Sequence, residues 1–187
     1  MAREIFGAIR EKEINKLKGL SGCISSIVNS SFNGDTLLFH ALRYGAGIEI
    51  VKFLVEQGAD VNKPDGNGWT PLHTAASICS KEVVDLLLTN NADINAKNPR
   101  GDTPLHVAMH DRSVDAANSL IKRGAEIGVD NMDAKNKFEE TPRGFMEHYK
   151  LERFIESIVS TPNNEVTNYA ANGVVSLTKN ACAMYEC

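Results

Sequence analysis

Nine side chains in this 187-residue sequence are the natural places to look for nucleophilic, acid–base or metal chemistry: five histidines and four cysteines. The histidines are His40, His73, His106, His110 and His148. None stands beside cysteines or carboxylates at ligand spacing, so no metal site is expected. His110 and Asp111 are adjacent in a turn between two apolar stretches, which reads as an exposed pair rather than a catalytic one. Cys23, Cys79, Cys182 and Cys187 match no zinc spacing and form no C-x-x-C. They read as free thiols of a reducing compartment, with a bridge between the two tail cysteines as the alternative. The sequence has no G-x-S-x-G nucleophile elbow and no phosphate-cradling G-x-x-x-x-G-K-[ST]. Gly66-Asn67-Gly68 is a turn tip, because it follows no buried strand. Lys97 and Arg100 are too few for nucleic acid, and the charged run Arg10–Lys18 reads as a solvated helix face. No catalytic set, cofactor or metal is expected.

Composition points the same way. Hydrophobic residues make up 42% and aromatics 6%, with one Trp. The core must therefore come from Ala, Leu, Val and Ile, which suits closely packed helices. Lys plus Arg is 20 against 24 Asp plus Glu, a net charge of −4. That balance is not the footprint of a general nucleic-acid binder. The N-terminus is charged throughout and no stretch nears the roughly 18 apolar residues of a membrane helix. A cytoplasmic protein is expected.

The organising feature is an internal repeat. Asn33-Gly-Asp-Thr-Leu-Leu-Phe-His-Ala-Leu42, Asn67-Gly-Trp-Thr-Pro-Leu-His-Thr-Ala-Ala76 and Arg100-Gly-Asp-Thr-Pro-Leu-His-Val-Ala-Met109 align. Each is followed by an apolar helical stripe and an ending of the type Gly-Ala-Asp-Val-Asn62. Ala59, Ala92 and Ala125 are spaced by 33 and 33, and Thr36, Thr70 and Thr103 by 34 and 33. Thr70 and Thr103 suit helix N-caps, and Pro71 and Pro104 the first turn, where a missing N–H costs nothing. His73 and His106 are placed to bond a Thr of their own or a neighbouring repeat. Ala75, Ala76 and Ala108 allow close helix approach. Val83, Val84, Leu86, Leu87 and Leu88 form an outer apolar stripe. Gly58 and Gly124 stand where a helix would end in a left-handed residue, with Asn91 as the substitute.

This pattern resembles the ankyrin repeat, over roughly residues 31–155. The resemblance implies an all-α solenoid of helix-turn-helix units with protruding hairpin loops and degenerate caps. The expected organisation is an ankyrin domain over 1–160 and a C-terminal tail over 161–187. Within the domain, 1–30 is an N-terminal cap, 31–63, 64–97 and 98–130 are repeats, and 131–160 is a C-terminal cap repeat. In the N-terminal cap, Ile5, Phe6, Ile9, Ile14 and Leu17, then Cys23, Ile24, Ile27 and Val28, read as a helix pair. The first repeat has Leu37 for Pro, Phe39 at the His position and one extra residue in its turn. After the third repeat the loop 128–137 is expanded, so that Thr103 to Thr141 is 38 residues. Thr141-Pro142 then restarts the pattern. Phe145, Tyr149, Leu151, Phe154, Ile155 and Ile158 are left to form two short helices.

The resemblance also implies where a protein partner docks: hairpin tips and the ends of the inner helices. Carried over by position, that set is Asn33, Asp35, Arg43 and Tyr44; Asn67, Trp69, Ser77 and Ile78; Arg100, Asp102, His110 and Asp111. Trp69, Tyr44, Ile78 and Arg100 are the preferred anchors. The expected function is a monomeric adaptor, scaffold or inhibitor that binds a protein, with no nucleic acid and no membrane. Two alternatives stand beside it. One is a secreted bacterial or viral effector acting in a host cytosol. The other is a substrate of an asparagine hydroxylase, at Asn62 and Asn95 in the repeat endings.

Overall fold

The computed structural model describes residues 2–78, 80–129 and 131–148. Short helices follow one another: α1 (Ala2–Arg10), α2 (Ile14–Gly19), α3 (Ser21–Ile27), α4 (Leu37–Arg43), α5 (Ile48–Glu56), α6 (Pro71–Ser77), α7 (Lys81–Thr89), α8 (Pro104–His110), α9 (Val114–Glu126) and α10 (Pro142–His148). Two layers result. The inner helices α4, α6, α8 and α10 pack in sequence, and the outer helices α5, α7 and α9 pack beside them. Among the described residues there is no strand beyond one isolated bridge, Phe32 to Asp35.

The repeat residues do what their types allow. Leu38, Leu72 and Leu105 occupy the same repeat position and are fully buried. Ala41, Ala75 and Ala108 are buried where one inner helix meets the next. Phe39 at the first repeat's His position is buried as an apolar side chain. Of the outer stripe, Val83, Val84, Leu87 and Leu88 are buried and Leu86 is half-buried. The N-terminal cap buries Ile5, Ala8 and Ile9 as one stripe of α1 against α4. It folds as three helices rather than a pair. Lys12 takes a left-handed φ of 60° after α1, and Leu20 leaves helical geometry (φ −102°, ψ 10°) between α2 and α3.

Histidine joins the units. The Thr70 N–H donates to His73 Nδ1 at 3.2 Å, and the Thr70 hydroxyl lies 2.8 Å from the same nitrogen. Because Nδ1 accepts, Nε2 carries the proton and donates to the Asp102 carbonyl of the next unit at 2.9 Å. His106 repeats this with Thr103 at 3.1 Å and the Glu140 carbonyl at 3.1 Å. Each histidine thus bonds its own Thr, and its neighbour through backbone rather than through the neighbour's Thr. Burial pushes the pKa of both imidazoles below the ordinary value.

A second ladder runs through asparagines. Asn29 Oδ1 accepts from the Asp60 N–H at 2.7 Å, and its Nδ2 donates to the Gly58 carbonyl at 2.9 Å. One unit on, Asn62 Oδ1 accepts from the Asp93 N–H at 2.7 Å and Nδ2 donates to the Asn91 carbonyl at 3.0 Å. Each therefore fixes the helix-ending loop of the following unit. Gly58 and Asn91 in those loops have φ of 89° and 63°, as expected of helix-ending residues.

Gly124 departs from that expectation. Helix α9 runs through it to Glu126, and the left-handed residue is Gly128 instead (φ 70°). The reason lies two residues on. Asp60 and Asp93 each use Oδ1 to accept the N–H two residues later, at 2.8 and 2.9 Å, which closes the turn. Glu126 occupies that position with one methylene more, too long for the same ring, and the helix continues. Gly124 serves close approach, since a Cβ there would lie 2.9 Å from the Val129 carbonyl. The expanded loop is tied back by Asn131, buried, whose Nδ2 donates to the Leu120 carbonyl at 3.2 Å. The second helix expected in the C-terminal cap, the 161–187 tail, Cys79, Cys182 and Cys187 lie outside the described residues. Cys23 is a free thiol.

Candidate protein-binding face

The hairpin tips share one construction. At Asp65, Asn98 and Asn136 the side-chain Oδ1 accepts the N–H groups two and four residues later, at 2.9 to 3.0 Å. A backbone bond from residue one to residue five closes each tip, as from the Asp65 N–H to the Trp69 carbonyl at 2.8 Å. The polar atoms at the base of the tip are thereby satisfied internally. The side chain two residues on stands exposed at the tip, and in register these are Asn67, whose Nδ2 also reaches Asp65 Oδ2 at 3.5 Å, Arg100 and Phe138. Neighbouring tips touch: a Cβ on Gly68 would lie 2.9 Å from Pro99 Cγ, and one on Gly101 would lie 3.0 Å from the Lys137 nitrogen.

The expected site residues separate into two kinds. Asn33, Asn67 and Arg100 are exposed at tips. Tyr44 and Ile78 occupy the same position just past α4 and α6, and are 48% and 43% exposed. Ile78 stands exposed at the end of α6, whereas Tyr44 also packs its ring on His40, with centroids 4.4 Å apart. Asp35 instead pairs with Arg43 at 2.8 Å, and Arg43 reaches Asp65 of the next tip at 3.5 Å. Ser77 donates to Asp111 Oδ2 at 2.6 Å, and His110 Nδ1 lies 2.8 Å from Asp111 Oδ1. Arg100 Nε lies 3.4 Å from Asp102, whose Oδ1 accepts from Asn136 Nδ2 at 2.7 Å. Trp69 is half-buried, packed on the core and edge-on to His73 with centroids 5.7 Å apart. Most of its surface is therefore spent on the scaffold.

Among the described residues Ser77, Asp111 and His110 form a Ser–Asp–His contact on this face, and its order is wrong for nucleophilic catalysis. The serine hydrogen goes to the carboxylate, not to an imidazole, so no base activates the oxygen. Among the described residues no three His, Cys, Asp or Glu converge as metal ligands. No described helix is long and apolar enough to cross a membrane.

Phe138 was not singled out by sequence reasoning. It is 61% exposed, with the Arg100 guanidinium 5.2 Å from its ring centroid. The signal was present: Asp65, Asn98 and Asn136 each stand five residues before a cap threonine. Counting from the asparagine rather than across the expanded loop aligns Phe138 with Arg100. Asn62 and Asn95 differ in the same register. The Asn62 amide is engaged on both sides, whereas the Asn95 amide makes no hydrogen bond among the described residues, because α9 continues where its partners would be.

Stacked helix pairs, histidine-linked and carrying a row of self-satisfied tips, define a helical repeat scaffold that presents a side-chain-rich face. The chain belongs to the ankyrin-repeat family: the family model described as "Ankyrin repeats (3 copies)" matches residues 5–98 and 65–131. Ankyrin repeats are protein-binding scaffolds. The chain is 57% identical over 44 residues to the RelA-associated inhibitor of Mus musculus, across 24% of this chain and 5% of that protein. It is 41% identical over 56 residues to protein phosphatase 1 regulatory subunit 12A of Mus musculus, across 30% of this chain and 5% of that protein. With protein phosphatase 1 regulatory subunit 27 of Mus musculus it shares 47% over 38 residues, 20% of this chain and 25% of that protein. The matched segments thus span a quarter or less of each relative's length.

Proposed function

We propose that this chain is a non-catalytic module that docks a protein partner on its hairpin tips and on the C-terminal ends of its inner helices, as an adaptor, scaffold or inhibitor. The observation that carries the reading is the position of its exposed apolar side chains. Among the described residues the large exposed hydrophobics are Tyr44, Ile78, Ile127 and Phe138, and three of these four lie on this face. Large apolar side chains left in water in register along one face are what a partner covers. The names of two relatives, a RelA-associated inhibitor and a regulatory subunit of protein phosphatase 1, agree with a regulatory role through binding. The proposed setting is the cytosol, where Cys23 stays reduced.

The test is affinity capture from the source cell followed by mass spectrometry, comparing wild type with a Tyr44→Ala/Ile78→Ser/Arg100→Ala variant. Specific partners are expected to be lost from the variant while its thermal unfolding stays within a few degrees of wild type. Retention of every specific partner would place the binding surface elsewhere. A second reading concerns modification. Asn95, with its amide unengaged, is the better asparagine hydroxylase substrate than Asn62, whose amide would have to leave two hydrogen bonds. One added oxygen on the peptide carrying Asn95, in protein from its native cell, supports it. Its absence, or its presence on Asn62 alone, rejects it.

A further inference from the structure

Asparagine stands directly before glycine at Asn33-Gly34 and Asn67-Gly68, and again at Asn172-Gly173, outside the described residues. The two described pairs sit at successive hairpin tips and are held differently. At the second tip the Asp65 carboxylate accepts the Asn67 and Trp69 N–H groups, both at 2.9 Å, and the Gly68 N–H donates to the Asp65 carbonyl at 3.0 Å. The first tip has no such brace. Where the other tips carry Asp65, Asn98 and Asn136, it has Ser31, which accepts neither N–H. Two backbone bonds between Phe32 and Asp35, at 2.7 and 3.1 Å, close it instead. Asn33 and Gly34 both take positive φ, 55° and 90°, as in a type I′ turn. Asn33 is exposed. Among the described residues neither its side-chain amide nor the Gly34 N–H makes a hydrogen bond.

We propose that Asn33 is a site of spontaneous deamidation, and that the reaction loosens the first hairpin tip. The Gly34 nitrogen bonds to the side-chain carbonyl carbon of Asn33, and the bond from that carbon to Nδ2 breaks. The amide leaves as ammonia, taking the Gly34 proton. Water then opens the cyclic imide at either carbonyl, to aspartate or to isoaspartate. Nothing is oxidised or reduced, and water is the co-reactant. Glycine favours the attack because no Cβ shields its nitrogen. For the nitrogen to reach the side chain, the Asn33–Gly34 peptide must turn over. Turning it carries a type I′ turn towards type II′, keeps both Phe32–Asp35 bonds and breaks no other. The same movement at Asn67 breaks the Gly68 bond to Asp65. Either product adds a carboxylate two residues from Asp35. Isoaspartate also lengthens the backbone within a two-residue loop, where a Cβ on Gly34 would already lie 3.3 Å from Gly66 Cα. The residues flanking that loop fasten it to its neighbours. The Phe32 ring meets Phe6 of α1 edge-on at 5.1 Å, and Asp35 holds Arg43 at 2.8 Å.

The experiment ages the full chain in neutral buffer, folded and in urea. Samples are read by peptide mapping with liquid chromatography and mass spectrometry, which separates asparagine, aspartate and isoaspartate. In the folded chain Asn33 is expected to convert at least about threefold faster than Asn67, the factor that one retained hydrogen bond is worth. In urea the two rates should draw together. Ageing should lower the urea midpoint of the wild type and leave that of Asn33→Gly where it began, since glycine accepts the positive φ and carries no amide. An Asn33 that keeps its amide, or an Asn67 that converts as fast in the folded chain, overturns the assignment of the site. A preference for Asn33 that persists in urea does so too, because flanking sequence rather than the turn would then set it. An unchanged midpoint in chain converted at Asn33 overturns the loosening.

Discussion

Asn62 and Asn95 offer a matched pair within one molecule: same residue, same repeat position, different engagement. Asn62→Ala removes an accepted bond from the Asp93 N–H at 2.7 Å and a donated bond to the Asn91 carbonyl at 3.0 Å. Each such bond contributes a net of about 0.5–1.5 kcal/mol. The site is exposed, so water can satisfy the released backbone groups, and the lower half of the summed range applies, about 1–2 kcal/mol. Asn95→Ala removes no hydrogen bond among the described residues and should stay within about 0.5 kcal/mol of wild type. Urea unfolding followed by circular dichroism reads the difference. With a slope of about 2 kcal/mol/M, the midpoint for Asn62→Ala should fall by about 0.5–1 M and that for Asn95→Ala should hardly move. An unchanged slope is part of the expected result, since the loss is of native contacts. Asn29→Ala should behave as Asn62→Ala does, because its amide makes the equivalent two bonds. Equal effects at Asn62 and Asn95, or no effect at either, would refute the claim that the asparagine ladder joins the units and stops at α9.

Two further outcomes follow from buried groups. Leu72→Ala or Leu105→Ala removes a fully buried side chain between inner helices and should cost about 2–5 kcal/mol in the same urea assay; a loss under about 0.5 kcal/mol would contradict the repeat register. Stability should also fall with acid. Burial holds the folded pKa of His73 and His106 below the unfolded value of about 6.5, so their contribution is complete above that pH and is lost as pH falls below it towards the folded values. The urea midpoint should therefore drop between about pH 7 and about pH 5.5, and the drop should shrink in a His73→Gln/His106→Gln variant; a midpoint that rises with acid over that interval would be inconsistent with neutral, Nδ1-accepting imidazoles.

The scaffold was legible wherever a residue type has one physical use. Thr before Pro marks a helix start, Leu72 and Leu105 mark the core, and Asp60 and Asp93 mark loops closed by a short carboxylate. Legibility ended where the motif kept its letters and lost its chemistry. Gly124-Ala-Glu126-Ile127 looks like Gly58-Ala-Asp60-Val61, yet one methylene in Glu126 removes the turn-closing acceptor. That substitution lengthens α9, leaves Ile127 half-exposed and strands the Asn95 amide. The N-terminal cap was legible as an apolar stripe but not in its number of helices, because Lys12 and Leu20 carry no residue-type signal for a break. Glu139 is of the same kind. It takes a φ of 62° at the tip position that is glycine at Gly68 and Gly101, so the fourth tip forms without its usual residue.

The site was legible to the extent that scaffold duties could be subtracted. Twelve positions were expected to be free for a partner on grounds of register alone, and the side chains sort them further. Arg43, Ser77, Asp102 and Asp111 bond across the junctions between repeats, Asp35 holds Arg43 within the first repeat, and Trp69 packs on the core and on His73. A residue of this kind cannot be truncated without perturbing the stack, so a loss of binding on Trp69→Ala would carry little weight. Tyr44, Ile78 and Phe138 make the cleaner probes. Tyr44 touches the His40 ring and Phe138 the Arg100 guanidinium, but each of the three keeps a large exposed surface, and removing it leaves the histidine and asparagine ladders between repeats intact.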